Sequence, residues 1–172
     1  MTSLLVLGGA RSGKSRHAEQ WLEALPPGRH GRLAYIATAQ VLDDEMAARI
    51  AHHRARRNAR WHTIEAPIAL AEAIGEAAQG ADGVLVDCLT LWLTNLILAE
   101  ADIAAASAAL AAALAAAPVP VALVANEVGL GIVPDNALAR RFRDEAGWLN
   151  QKLAATASQV VFVAAGLPMV LK

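Results

Sequence analysis

Residues 8–15 of the chain are Gly8-Gly9-Ala10-Arg11-Ser12-Gly13-Lys14-Ser15. This stretch fits G-x-x-x-x-G-K-[ST], with the apolar run 4–7 directly before it and a helical pattern over 14–24 directly after it. Glycines let the backbone wrap a phosphate with successive N–H groups, and the helix N-terminus adds roughly half a positive charge. In such a loop Lys14 bridges the β- and γ-phosphates of a nucleotide, and the Ser15 hydroxyl ligates Mg²⁺. A Gly-rich turn with an incidental lysine explains the string alone. It does not explain why strand, loop and helix occur in that order.

Outward from this loop, four more short runs have the length and β-branched content of buried strands: 33–38, 84–87, 119–125 and 160–164. They are continuously apolar rather than alternating, as expected of a parallel sheet covered on both faces. The intervening segments 43–57, 67–79, 89–98, 102–116 and 134–157 read as helices. Pro134 fits the first turn of the last one, where a missing N–H costs nothing. The alanine-rich segment places Ile103, Ser107, Leu110 and Leu114 on one face, a surface helix with a thin apolar stripe. No internal repeat or interdomain linker interrupts the pattern. The fold class is therefore α/β, a P-loop NTPase fold with a mostly parallel central sheet flanked by helices, read as one domain over 1–172.

Composition narrows the function classes. The chain has 172 residues, 56% hydrophobic, with 15 Lys+Arg against 16 Asp+Glu, which argues against general nucleic-acid binding. The one cysteine, Cys88, allows no internal disulfide, and the expected compartment is the cytoplasm. A mean hydropathy of +0.37 raises the question of a membrane span. Asp87 and Asn95 break the run 84–99, the run 160–171 is too short and contains Gly166 and Pro168, and 99–117 is mostly alanine. None reaches the roughly 20 apolar residues a span needs. No basic residue precedes the first apolar run, so no secretory leader is expected there.

A P-loop enzyme generally takes a second carboxylate from the end of a neighbouring strand to hold the hydrated metal. Asp87, after Val84-Leu85-Val86, has that form, with helix capping as its alternative role. In 43–57 acids come first and bases last, which suits a solvent-exposed helix and its dipole. Four arginines and two histidines fall within 49–57, however, and arginine forks match phosphate oxygens. Guanidinium neighbours disfavour an imidazolium and leave a neutral nitrogen able to attack phosphorus. Spacing does not choose between His52 and His53. Net charge −1 thus hides basic clusters at 49–57 and 140–143 against acids at 43–45. The polar pair Asn126-Glu127 with its Gly-containing loop lies where open α/β sheets bind ligands, although two glycines also suit a plain tight connection.

Taken together, GGARSGKSRHAE (8–19), YIATAQVLDDEMAARIAHHRARR (35–57), W-x-T-x-E (61–65), DCLTLWLTNL (87–96), NEVGLGIVPDN (126–136) and RRFRDEAGWLNQKLA (140–154) resemble the bifunctional adenosylcobinamide kinase/adenosylcobinamide-phosphate guanylyltransferase family of cobalamin biosynthesis. The resemblance implies phosphorylation of adenosylcobinamide at the expense of ATP or GTP. GMP transfer from GTP to adenosylcobinamide phosphate then follows through a guanylylated histidine, with Mg²⁺ as cofactor and pyrophosphate as leaving group. It maps the nucleophile onto His52 and the nucleotide contacts onto Gly8, Gly9, Ala10, Arg11, Ser12, Gly13, Lys14, Ser15, Ala37, Thr38, Ala39, His53, Arg54, Ala55, Arg56, Glu65 and Asp87. Lys14 joins His52 as catalytic, and Ser15 and Asp87 are the metal ligands. The family implies a homotrimer, with no nucleic acid and no membrane span.

Two other readings fit parts of the same sequence. In a simple P-loop small-molecule kinase, His52 and its arginines only bind phosphate. A nucleotide-binding regulatory module explains the P-loop but lacks the guanine-reading N-K-x-D of many GTPases.

Overall fold

The computed structural model describes residues 2–39 and 58–172. In chain order its elements are β1 (Ser3–Gly8), α1 (Lys14–Glu23), β2 (Leu33–Ala37), β3 (Trp61–Glu65), α2 (Leu70–Gly80), β4 (Val84–Asp87), α3 (Leu89–Leu98), α4 (Ile103–Ala116), β5 (Val121–Asn126), α5 (Ala137–Thr156), β6 (Gln159–Ala164) and β7 (Leu167–Val170). The strands form one seven-stranded sheet in the order β3-β2-β4-β5-β1-β6-β7. Every pairing is parallel except β6 with β7.

Alternation along the strands builds two cores. Leu5, Ile36, Val86 and Leu123 point to the face where they pack with Trp92 of α3, Leu110 of α4 and Leu149 of α5. Leu4, Val6, Leu85 and Val124 point to the other face, against Ala18 and Leu22 of α1. Both faces of the central strands are covered, which is why they read as unbroken apolar runs. The alanine-rich helix buries Ile103, Ser107, Leu110 and Leu114, the stripe its spacing predicts. Each fully buried leucine there contributes about 1.5–3 kcal/mol.

Three helix starts differ from the sequence expectations, the strand expected at 119–125 runs over Val121–Asn126, and two strands are additional. The last helix starts at Ala137, not Pro134: the Asn136 side chain caps it, accepting from Ala139 N at 2.7 Å, and Pro134 stays in the preceding loop. Asp102 likewise caps α4, which begins at Ile103. Residues 67–69 remain outside α2 because α3 holds their loop, with Asn95 Nδ2 donating to Pro67 O and Trp92 Nε1 to Ile68 O. β3 is the edge strand, its residues half-buried or exposed, so its three polar residues hide it from a search for apolar runs. β7 follows β6 through Ala165 (φ 51°) and Gly166 (φ 80°), both left-handed as a two-residue hairpin turn requires. Pro168 is tolerated within it because β7 is the opposite edge of the sheet.

The expected helix 43–57 lies outside the described residues. Among the described residues, no helix is long and apolar enough to cross a membrane.

Candidate active site

Parallel strands place their carboxyl ends on one edge, and there the loop 8–15 closes on itself. Gly8 has φ 152°, and a Cβ on it would stand 2.3 Å from Val163 O of the neighbouring β6, so only glycine fits. Gly13, at φ 102°, is the N-cap of α1, which has no side-chain cap and no acid in its first turn. The first N–H groups of α1 are thus left for an anion. Two contacts fix the loop from outside: Glu127 N donates to Gly8 O at 2.9 Å and Gly166 N to Ser12 O at 2.8 Å. The buried Ser12 Oγ has no hydrogen-bond partner among the described residues. A phosphate oxygen would supply one.

Lys14 is 6% exposed, with Nζ donating to Gly9 O at 2.5 Å. Burial pulls its ammonium below the usual lysine range, while the negative charge of Asp87 and the Cys88 thiol oppose that shift. Sequence placed Lys14 and Asp87 at the same site, and the structure brings them within electrostatic reach. Asp87 ends β4, and its Oδ2 accepts from Tyr35 OH at 3.1 Å. It does not cap the next helix: the N-cap of α3 is Cys88, in extended conformation without a side-chain cap bond. The Asp87–Cys88 peptide is cis. Burial, reinforced by the Asp87 charge, raises the Cys88 thiol to about 11, so it stays protonated.

Ser15 and Asp87 offer a hydroxyl and a carboxylate, hard oxygen donors that suit Mg²⁺. Among the described residues no group of three or more His, Cys, Asp or Glu side chains stands ready to hold a metal. Two such donors would suit a magnesium ion completed by phosphate oxygens and water.

The other expected nucleotide contacts lie along the same edge. Ala37 ends β2 beside Asp87, with register Ala37↔Asp87, and Thr38 follows it. Thr38 is fully buried; its Oγ1 donates to Cys88 O at 2.7 Å and accepts from Cys88 N at 2.9 Å. Ala39 follows half-buried. Glu65 ends β3 opposite Ala37 and is exposed. Four strand intervals separate β3 from β1 in the sheet, about 19 Å at ordinary strand spacing. The described candidates therefore form an extended edge rather than one pocket. His52, His53, Arg54, Ala55 and Arg56 lie outside the described residues.

Sequence reasoning missed two contributors. Asn95 of α3 donates through Nδ2 to Thr38 O (2.8 Å) and Pro67 O (2.9 Å), fastening the loops after β2 and β3. Thr90 Oγ1 accepts from Asn126 N at 2.7 Å and so ties the end of β5 to the same helix. Both stand in the motif DCLTLWLTNL, but nothing local in the string says what they hold. The basic cluster 140–143 is less available than its charge suggests. Arg140 Nη1 donates to Pro134 O and Asp135 O, and Arg143 pairs with Asp144 at 3.0 Å.

Comparison with known proteins adds relatives to this geometry. The family model described as cobinamide kinase / cobinamide phosphate guanyltransferase matches residues 4–171. The bifunctional adenosylcobalamin biosynthesis protein CobP of Pseudomonas aeruginosa is 51% identical over 170 residues, covering 98% of this chain and 96% of the relative. CobU proteins of the same description from Salmonella typhimurium and Escherichia coli are 46% and 45% identical, each covering 98% of this chain and 99% of the relative. Among solved structures, a KaiC-like protein from Pyrococcus horikoshii aligns with TM-score 0.54 at 12% identity, covering 94% of this chain and 70% of that one. The flagellar accessory protein FlaH from Methanocaldococcus jannaschii aligns with TM-score 0.51 at 13% identity, covering 99% and 78%. At these identities the two structures support the fold alone.

Proposed function

The chain belongs to the cobinamide kinase / cobinamide phosphate guanyltransferase family, and on that premise we propose that it carries out both reactions within one domain spanning 1–172. It phosphorylates the aminopropanol hydroxyl of adenosylcobinamide, then joins GMP from GTP to that phosphate. The observation that carries this reading is the phosphate cradle itself: Lys14 buried beneath the loop, within the field of Asp87, at the N-terminus of α1.

In the kinase step the substrate hydroxyl oxygen attacks the γ-phosphorus, the bond to the bridging β-γ oxygen breaks, and the nucleoside diphosphate leaves. The loop N–H groups hold the phosphates, and the Lys14 ammonium exchanges Gly9 O for phosphate oxygens that gain charge in the transition state. Mg²⁺ bound by Ser15 and Asp87 would neutralise phosphate charge at the same place. In the transferase step His52 nitrogen attacks the α-phosphorus of GTP and pyrophosphate leaves; a phosphate oxygen of adenosylcobinamide phosphate then displaces the histidine. Arg54 and Arg56, with His53, hold the triphosphate, while Ala37, Thr38, Ala39, Ala55 and Glu65 line the nucleotide. Two displacements at two phosphorus centres suit an edge that extends across five strands. The working assembly is a homotrimer in the cytoplasm, without nucleic acid.

Incubation with α-labelled GTP tests the covalent step. The expected result is acid-labile, alkali-stable label on the protein, absent from His52→Ala and released to product by adenosylcobinamide phosphate. Protein that never takes up label would reduce the chain to a kinase that merely binds nucleotide at 49–57.

A further inference from the structure

A cleft of about 310 Å³ lies outside the phosphate site, between Gly129 and one flank of α5, lined also by Arg143, Asp144, Gly147, Trp148 and Gln151. The core side of α5 is carried by Ala146, Leu149 and Leu153, so this flank plays no part in holding the helix on the sheet. Its composition is unusual for a solvent face. Trp148 is 61% exposed, and the adjoining loop leaves Leu130 at 82% and Ile132 at 97%. Gly147 sits inside a 20-residue helix, where it costs about 1 kcal/mol relative to alanine. A Cβ there would meet nothing within 4 Å, so packing does not require the glycine. It leaves a notch beside the indole.

A chain of hydrogen bonds links the cleft wall to the phosphate loop. Glu127 N donates to Gly8 O at 2.9 Å, the Glu127 carboxylate accepts from Gly129 N, and Gly129 forms the cleft wall. Two residues thus separate the start of the cradle from the start of the cleft. A kinase acting on a corrinoid must bring one small hydroxyl arm to the γ-phosphate while a large macrocycle, apolar on its faces and amide-bearing at its rim, stays outside. The opposite flank of the loop is closed by the β6–β7 turn, through Gly166 N on Ser12 O.

Resting on the function proposed above, we propose that this cleft is the corrinoid subsite. The macrocycle lies against the Trp148 indole in the Gly147 notch, with Leu130 and Ile132 along its edge. Its amides meet a donor, an acceptor and a group that is both: the Arg143 guanidinium and the Asp144 carboxylate, which already pair with each other, and the Gln151 amide. The volume is too small to enclose a tetrapyrrole-sized ligand, so the cleft grips one edge and leaves the remainder outside. An indole face suits such a ligand because it supplies area and stacking at little rotamer cost.

The test is Trp148→Ala and Trp148→Phe in the full chain, assayed for kinase kinetics with adenosylcobinamide, for covalent labelling by α-labelled GTP, and for oligomeric state by sedimentation. Trp148→Ala should raise KM for adenosylcobinamide about tenfold, with kcat and labelling within about twofold of the parent and Trp148→Phe recovering most of the loss. Unchanged KM in Trp148→Ala would overturn the assignment. So would a KM rise accompanied by dissociation of the oligomer, which would make the face a contact between copies. A parent chain that does not turn over adenosylcobinamide at all defeats the function proposed above; a working parent with an indifferent Trp148 defeats only the subsite.

Discussion

Lys14 shows most clearly how one residue serves activity against stability. Its ammonium is held in a buried place that water would serve better, offset by the Asp87 carboxylate and by one backbone carbonyl. Replacing it with an apolar side chain of similar length removes the charge that the transferring phosphate needs and the desolvation cost together. We therefore expect Lys14→Met to lower kinase turnover by about 10²–10³-fold or more, with a melting temperature equal to or above that of the parent. A fall of several degrees in calorimetry would show that the ammonium holds the empty loop together instead. Cys88 makes the complementary point about pH. Its thiol is raised by burial to about 11 from an ordinary 9.0, so the folded state keeps a proton that the unfolded chain releases. The corresponding stability is complete below pH 9.0 and is lost as pH rises through about 11. At pH 8 a thiol reagent should modify the chain in urea and leave the native protein untouched.

At the scale of elements, the helix after β4 acts as a clamp. Trp92 and Asn95 reach from α3 to the loops after β2 and β3, which carry Thr38 and border Glu65. Asn95→Ala removes two hydrogen bonds and leaves two carbonyls without that donor, a loss of about 2 kcal/mol in urea unfolding. It should also weaken GTP in the labelling reaction more than it weakens the kinase step, since the loops it holds are remote from β1. Equal effects on both steps would mean that Asn95 supports only the general fold. What the sequence disclosed at this scale follows from what is local. Strand, loop and helix around Gly8 to Ser15 are coded contiguously, and the stripe Ile103, Ser107, Leu110 and Leu114 is a simple helical period. The edge strand Trp61–Glu65 was illegible because only central strands need unbroken apolar runs. The start of α5 moved from Pro134 to Ala137 because Asn136 supplies a capping oxygen that proline lacks.

For the whole molecule, legibility depended on whether a role is carried by a residue or by its neighbours. Lys14, Ser15 and Asp87 follow from motif and strand position, whereas Glu65 and the choice of His52 came only from resemblance, since nothing in their spacing demands them. The arginines at 140 and 143 read only as part of a basic cluster, and they are engaged locally, with loop carbonyls and with Asp144. Asn95 and the cleft at Trp148 exist only after folding brings distant segments together. The resulting arrangement puts a phosphate cradle after β1, a carboxylate at the end of β4 and exposed Glu65 at the end of the edge strand β3, all along the carboxyl edge of the sheet. On this arrangement one chain both phosphorylates and guanylylates a corrinoid. Mass analysis of the corrinoid after incubation of the purified chain with adenosylcobinamide, ATP, GTP and Mg²⁺ tests it most directly. The expected products are adenosylcobinamide phosphate when the mixture contains ATP alone, and adenosylcobinamide-GDP with equimolar pyrophosphate once GTP is added. Recovery of unaltered adenosylcobinamide from both mixtures would contradict it.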